Sequence, residues 1–224
     1  MSSAAACSKA TCNRLLQPKP IRALLSIWLF ASISLSARAI EEPSYTVLRQ
    51  DDNIELRQYA PILVAETEVA GSMDRASSEG FQRLADFIFG NNTAPSGTSA
   101  KIAMTAPVQM QPSSEKISMT SPVTLHQNAD RWVIGFTMPS EYTLQTIPKP
   151  NNPAVILREI PVKRMAVIRF SGFAGEEKVS RKTVQLVAWM QQNGLTPLAA
   201  PMVARYNPPW TPPFLRRNEV LIAY

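Results

Sequence analysis

Residues 71–90 read GSMDRASSEGFQRLADFIFG, and residues 175–194 read GEEKVSRKTVQLVAWMQQNG. In each run the bounding glycines stand 19 positions apart. Between the first pair, Phe81, Leu84, Ala85 and Ile88 recur at helical spacing. Val184, Val187 and Ala188 match the first three of them at a shift of 103. Glycine adopts the backbone that ends a helix at little cost. The spacing predicts helices over Met73–Phe89 and Glu177–Gln192. Each follows a strand-like stretch, Ile62–Gly71 and Met165–Gly175. Each precedes another, Lys101–Val108 and Val203–Pro209. Two such units, each too small to bury a sheet face alone, predict one α+β domain of two pseudo-repeats, each of antiparallel sheet plus helix. A groove between the halves is a natural ligand site.

Working outward, Tyr45–Arg49 and Ile54–Tyr59 read as strands around the turn-prone Asp51-Asp52-Asn53. Lys101-Ile102-Ala103-Met104-Thr105-Ala106-Pro107-Val108 recurs as Lys116-Ile117-Ser118-Met119-Thr120-Ser121-Pro122-Val123. Both octapeptides alternate, so both are expected as strands, with Gln111–Glu115 as the hairpin loop between them. Trp132–Met138 is a further strand. A connection holding Pro148, Pro150 and Pro153 follows it.

The chain has 224 residues, 23 Lys+Arg and 17 Asp+Glu, a formal charge of +6. Five of the basic residues (Lys9, Arg14, Lys19, Arg22, Arg38) and none of the acidic ones fall within residues 1–39, which leaves 18 basic against 17 acidic beyond them. That near-neutral remainder carries no electrostatic footprint for nucleic acid. The same 39 residues have the form of an export signal. A basic stretch ends at Arg22, the apolar run Ala23–Leu35 follows, and Ala37-Arg38-Ala39 puts small residues at a cleavage site. Cleavage is expected after Ala39, giving a signal peptide over 1–39 and one domain over 40–224. An uncleaved anchor and a transit peptide are the alternatives. Cys7 and Cys12 both lie before the cut, so the mature chain is expected to have no disulfide and no thiolate.

The catalytic inventory is thin. His126 is the one histidine, and no Ser stands in a nucleophile elbow. No phosphate loop or dinucleotide fingerprint occurs. Asp51-Asp52 sits in a turn, and Glu176-Glu177 opens a helix where acids favour the dipole. These absences point to binding and not to an enzyme. Met104, Met119 and Met138 recur in strand-like stretches, where thioethers fill irregular apolar space or ligate haem iron. The tail Tyr206-Asn207-Pro208-Pro209-Trp210-Thr211-Pro212-Pro213-Phe214-Leu215-Arg216-Arg217 sets aromatic rings in a proline-stiffened loop. Such a loop suits the rim of an apolar pocket, with Arg216 or Arg217 meeting an acidic group. It equally suits a proline-rich crossover whose arginines pair with Glu219 or another surface acid.

Ile54–Tyr59, Gly80–Ala85, Lys101–Val108 with its echo, Phe136–Tyr142, Val167–Gly172 and Ala204–Val220 together resemble the SOUL/haem-binding protein family. The resemblance spans 43–224. It implies two pseudo-repeats closing into a distorted barrel, with non-catalytic, non-covalent binding of haem or another tetrapyrrole in an apolar groove. The groove it implies is made by the first helix and the proline loop. On this sequence that means Phe81, Leu84, Ala85 and Ile88, with Met104, Tyr206, Trp210, Phe214, Arg216 and Arg217. The position of the family's axial histidine holds Gln58, and the family's basic helix positions hold Ser78 and Asp86. Burial of the macrocycle without a histidine ligand is therefore expected, with Arg83, Arg216 or Arg217 toward the propionates. The expected role is an exported carrier, buffer or scavenger, periplasmic or secreted, monomeric and without a membrane span once cleaved. The alternatives are a module for another flat apolar molecule or for a partner peptide, and an enzyme acting on tetrapyrroles.

Overall fold

Both glycine-bounded runs fold as helices, α1 (Met73–Phe89) and α2 (Glu176–Gln192). The structure, a computed structural model, describes residues 40–113 and 131–224. The expected signal peptide with its two cysteines, the second octapeptide with Met119, and His126 lie outside the described residues. Among the described residues eleven strands accompany the helices: β1 (Tyr45–Asp51), β2 (Ile54–Tyr59), β3 (Ile62–Ala70), β4 (Asn92–Thr93), β5 (Val108–Pro112), β6 (Arg131–Thr137), β7 (Lys149–Pro150), β8 (Val155–Ile160), β9 (Lys163–Phe170), β10 (Met202–Arg205) and β11 (Asn218–Ala223).

Nine strands form one antiparallel sheet in the order β1-β2-β9-β11-β10-β5-β6-β3-β8, while β4 and β7 form a separate ribbon. The sheet curls into a half-barrel. Outward from the central β10–β5 pair the order is β5-β6-β3-β8 on one side and β10-β11-β9-β2 on the other. Helix α1 packs on β3 and β6, and α2 packs on β9 and β11. Among the described residues no helix is long and apolar enough to cross a membrane.

The helices cover one face of the sheet and make the main core with it. Leu63, Ala65, Ile134, Phe136, Ala166, Ile168, Val220 and Ile222 meet Met73, Leu84, Phe87, Ile88, Leu186 and Met190 there. The β6 indole Trp132 donates to the Gly71 carbonyl at 3.1 Å and fixes where α1 begins. Gly90, at φ +131°, ends the helix in a conformation that side chains resist. Buried Asn92 then donates to the Phe87 and Ala100 carbonyls, so one amide side chain satisfies the helix end and holds the loop after it.

Several expectations are corrected. Lys101–Val108 is not a strand. Pro107 has no N–H to give a ladder. Ile102 turns its N–H to the Ile88 carbonyl under the end of α1. Strand β5 starts only at Val108 and runs through Pro112, into the expected hairpin loop. The proline-rich connection delivers an unforeseen strand, β8. The tail also ends in one, β11, which lies between β9 and β10. Strand β10 stops at Arg205, short of Pro209. The buried stripe of α1 runs Met73, Ala76, Gly80, Leu84, Phe87, Ile88, and so turns Gly80 toward the sheet and leaves Phe81 at the rim. On α2 the buried stripe is Val179, Thr183, Leu186 and Met190, while Val184 and Ala188 are exposed.

Candidate functional site

Two regions of the molecule offer a surface for a ligand. The first is the proline loop between β10 and β11. Its prolines fix the backbone, and its polar groups tie it down. Arg216 Nε donates to the Thr211 carbonyl at 2.7 Å, and its Nη2 to the Pro209 carbonyl. Gly172 N–H donates to the Pro213 carbonyl at 2.8 Å, and Asn218 Nδ2 to the Gly172 carbonyl at 2.9 Å. The Arg217 N–H donates to Asn207 Oδ1 at 2.6 Å. At the base, Arg205 joins both helices. Its Nη1 donates to Ser77 Oγ of α1 at 3.1 Å and its Nη2 to the Ala174 carbonyl, just before α2, at 2.9 Å. Burial lowers the Arg205 pKa, against the pull of Asp74 and with the repulsion of Arg216.

This fixed loop holds apolar side chains in solvent. Trp210 is 83% exposed, Phe214 75% and Leu215 62%, with Phe173 of the neighbouring turn at 64%. The Arg216 guanidinium lies 4.9 Å from the Phe173 ring. Rigid exposed aromatics in one patch are a binding feature more than an accident of surface composition.

The residues expected at the groove do not come together in one place. Trp210, Phe214 and Arg216 share the loop, and Arg216 spends two donors on the loop's own carbonyls. Leu84, Ala85 and Ile88 are core residues. Phe81 stands one helical turn past Ser77 and meets Phe136 edge-on at 5.4 Å between centroids. Met104, at 42% exposure, lies in the segment after α1. Arg83 donates to the Glu68 carbonyl and pairs with Glu79. Gln58 accepts from Arg164 Nε at 3.3 Å. Ser78 and Asp86 are solvent-facing on α1, bonded to the Asp74 carbonyl and to Asn91 respectively.

Tyr206 and Arg217 belong to the second region, the concave face of the sheet. There the Arg57 guanidinium, 2% exposed, is held by four groups. It donates to Glu219 at 2.8 and 3.1 Å, to Glu55 at 2.6 Å and to the Tyr59 hydroxyl at 2.9 Å, and lies 4.2 Å over the Tyr45 ring. Tyr206 donates its hydroxyl to Glu219 at 2.7 Å. Arg217 stacks 3.4 Å over the Tyr206 ring and pairs with Glu42. Burial opposes the charge of Arg57, but the Glu219 carboxylate outweighs it and raises the Arg57 pKa. Sequence reasoning offered Glu219 as a partner for the loop arginines, and Arg217 Nε lies 3.9 Å from it, but it missed Arg57 at the centre of the network. The signal was an arginine and a glutamate set among the apolar residues of two strands.

Burial pushes the Tyr59 phenol up to about 12, against the pull of Arg57, and pushes Tyr206 further, with Glu219 adding to it. An unfolded tyrosine ionises near pH 10, so between pH 10 and 12 the unfolded chain binds fewer protons than the folded one and stability falls as pH rises. Tyr59 alone then removes about 2–3 kcal/mol by pH 12. Urea midpoints at pH 9, 10.5 and 12, read beside phenolate absorbance, should drop over this window. A Tyr59→Phe, Tyr206→Phe chain should lose most of that slope.

Beside the network the curled sheet partly surrounds a hollow that opens to solvent. The β2–β3 and β8–β9 turns, which both pass from one half of the sheet to the other, form part of its wall. Val133, Met165, Met202 and Leu221 line it, along with Gln109 and Gln111. Among the described residues no cluster of three His, Cys, Asp or Glu side chains is placed to hold a metal ion.

The fold has solved relatives at low identity. The crystal structure of the EcmrR C-terminal domain superposes with a TM-score of 0.54 at 11% identity, covering 80% of this chain and 96% of that one. An uncharacterized conserved protein from Listeria innocua gives 0.53 at 10% identity, covering 76% and 91%. A structure described as a hydrolase from the same organism gives 0.50 at 8%, covering 78% and 93%. At such identities these likenesses show the fold alone. No curated protein matches the sequence. The family model of the SOUL heme-binding protein matches residues 40–223, nearly the whole described fold and the proline loop with it, and the chain belongs to that family.

Proposed function

We propose that this chain is an exported, non-enzymatic tetrapyrrole-binding protein that carries, buffers or scavenges haem. The observation that supports it is the loop. A SOUL-family chain presents Trp210, Phe214, Leu215 and Phe173 to solvent on a backbone that its own prolines and Arg216 hold rigid. Preformed apolar surface costs little ordering entropy on binding. The residues fit a macrocycle on that side, where Trp210, Phe214 and Phe173 would hold its flat faces without a covalent bond. Of the α1 residues expected at the groove, Phe81 is the one left at the surface to meet it. Bound there, haem would supply the ligand and redox chemistry of its iron. Gln58 in place of the family's axial histidine, tied to Arg164, makes apolar burial the main source of affinity. Arg217 is committed to Glu42 and Tyr206, so Arg216 is the better partner for a propionate. The mature chain, residues 40–224, acts in this reading as a periplasmic or secreted monomer, built from two pseudo-repeats with no part in nucleic-acid binding.

The test is a titration of the purified full chain with hemin and with iron-free protoporphyrin, followed at the Soret band. Both should saturate with affinities within a few-fold of each other. A Trp210→Ala, Phe214→Ala chain should bind both about tenfold to a hundredfold more weakly, the effect of about 1.5–3 kcal/mol for each large apolar side chain partly lost. Binding of hemin alone with a sharp Soret shift would show an iron ligand after all. Absence of saturable binding by either would remove the tetrapyrrole reading in favour of another flat ligand or a partner peptide.

A further inference from the structure

The concave hollow lies on the sheet face opposite the helices, apart from the loop residues, and its lining has a definite chemistry. The apolar part is Val133, Met165, Met202 and Leu221, two of them methionines whose flexible side chains adapt to varied shapes. Tyr59 and Tyr206 turn their hydroxyls to Arg57 and Glu219, which leaves their rings toward the hollow. Gln109 and Gln111 add neutral amides. The charged lining residues are Glu66, Arg158 and Lys163. Arg158 donates to both carboxylate oxygens of Glu66, at 2.8 and 3.1 Å, and the two cancel. Lys163 has no carboxylate partner among the described residues, so its ammonium is the one unbalanced charge of the lining. Its cross-strand neighbour is Tyr59, which places it on the concave face at the rim.

From this geometry we infer that the hollow is a second binding site, taking an apolar molecule with a single acidic group. The hydrocarbon body lies along Val133, Met165, Met202 and Leu221, and the carboxylate or sulfonate meets Lys163. A second acidic group would lie against the Glu66 side of the wall without a free cation, so one negative charge is the fitting number. This site does not rest on the tetrapyrrole reading, because it shares none of the exposed loop residues.

The probes are 8-anilinonaphthalene-1-sulfonate and N-phenyl-1-naphthylamine, one ring system with and without the sulfonate, titrated into the full chain by fluorescence. The sulfonate dye should bind saturably, one per chain, and more tightly than the neutral dye. Lys163→Glu should weaken the sulfonate dye tenfold or more and leave the neutral dye within twofold. Gln109→Trp, or Val133→Trp as an independent filler, should abolish both in a chain that still unfolds cooperatively. The Trp210→Ala, Phe214→Ala chain should bind both dyes as before, and hemin should leave the bound dye in place. Equal response of the two dyes to Lys163→Glu overturns the inference. So does dye binding that disappears with the loop pair, or one-for-one displacement of dye by hemin.

Discussion

Glu219→Ala should cost this chain about 3–5 kcal/mol of stability, the loss expected when one partner of a buried ion pair is removed. Glu219 is 1% exposed and Arg57 2% exposed. With Glu219 gone, the Arg57 guanidinium keeps Glu55 and Tyr59 but loses its two-pronged partner, and the Tyr206 hydroxyl loses its acceptor. A buried cation with too few acceptors carries most of its desolvation cost uncompensated. For a chain of this size the melting temperature should fall by about 10 °C or more. Arg57→Leu combined with Glu219→Leu should recover most of the loss, since neither charge is then stranded. Urea denaturation of the two single variants and the double variant closes the cycle. Single losses under about 1 kcal/mol, the range of a surface pair, would show that water reaches the network and that it does not hold the sheet together.

That pair also marks the limit of what the sequence discloses. The two residues are 162 positions apart. They meet because β9 lies between β2 and β11 and the curl of the sheet turns the inward side chains of the outer two strands toward each other. No local pattern encodes that. Strand β11 was hidden for a related reason. Asn218-Glu219-Val220-Leu221-Ile222 is buried on both faces, so it shows no alternation, and an aromatic tail precedes it. Strand β8 was masked by the prolines ahead of it. What could be read was local: glycines that bound helices, the strand-like runs of β2, β3 and β6, and the stiff aromatic loop. The octapeptide misled because alternation was present while the proline that denies it a ladder counted for little in the reading.

Where the candidate site residues point was legible only in part, for a geometric reason. A family resemblance transfers positions along the chain, and orientation depends on packing. Trp210 and Phe214, expected at the rim of a pocket, stand in solvent because prolines and a 3₁₀ turn leave them no sheet face to cover. Leu84, Ala85 and Ile88 are groove residues only in what the resemblance implies for the first helix; a two-layer domain uses the helix face they share for its core. The concave face was not foreseen because its lining is mixed. Gln109, Gln111, Glu66 and Arg158 alternate with residues that face the helices, and so they look like the solvent side of ordinary strands. They are that, but the curl gathers them around a hollow.

The same packing makes Gly80 the most sensitive position on α1. A Cβ added there would stand 2.6 Å from Ile134 Cγ1 and 2.7 Å from Ile134 Cβ, against the 3.5–4.0 Å of ordinary carbon contact. Ile134 is fully buried in β6, between β5 and β3, and its Cβ moves only if the strand moves. Gly80→Ala should therefore destabilise by about 1–3 kcal/mol, although alanine in an exposed helix position gains about 1 kcal/mol over glycine. Gly80→Leu should not fold. Ser78→Ala, two residues away and solvent-facing, should change stability by less than about 0.5 kcal/mol. The packing defect also has a functional reading. To relieve the contact α1 lifts from the sheet, and Ser77 lifts with it from Arg205, which anchors the base of the proline loop. Gly80→Ala should thus weaken hemin as well as lower the melting temperature, whereas Ser78→Ala should do neither. A Gly80→Ala chain as stable as the parent would mean that the helix is free to ride higher on the sheet, and the loop would then owe its position to its prolines and Arg216 alone.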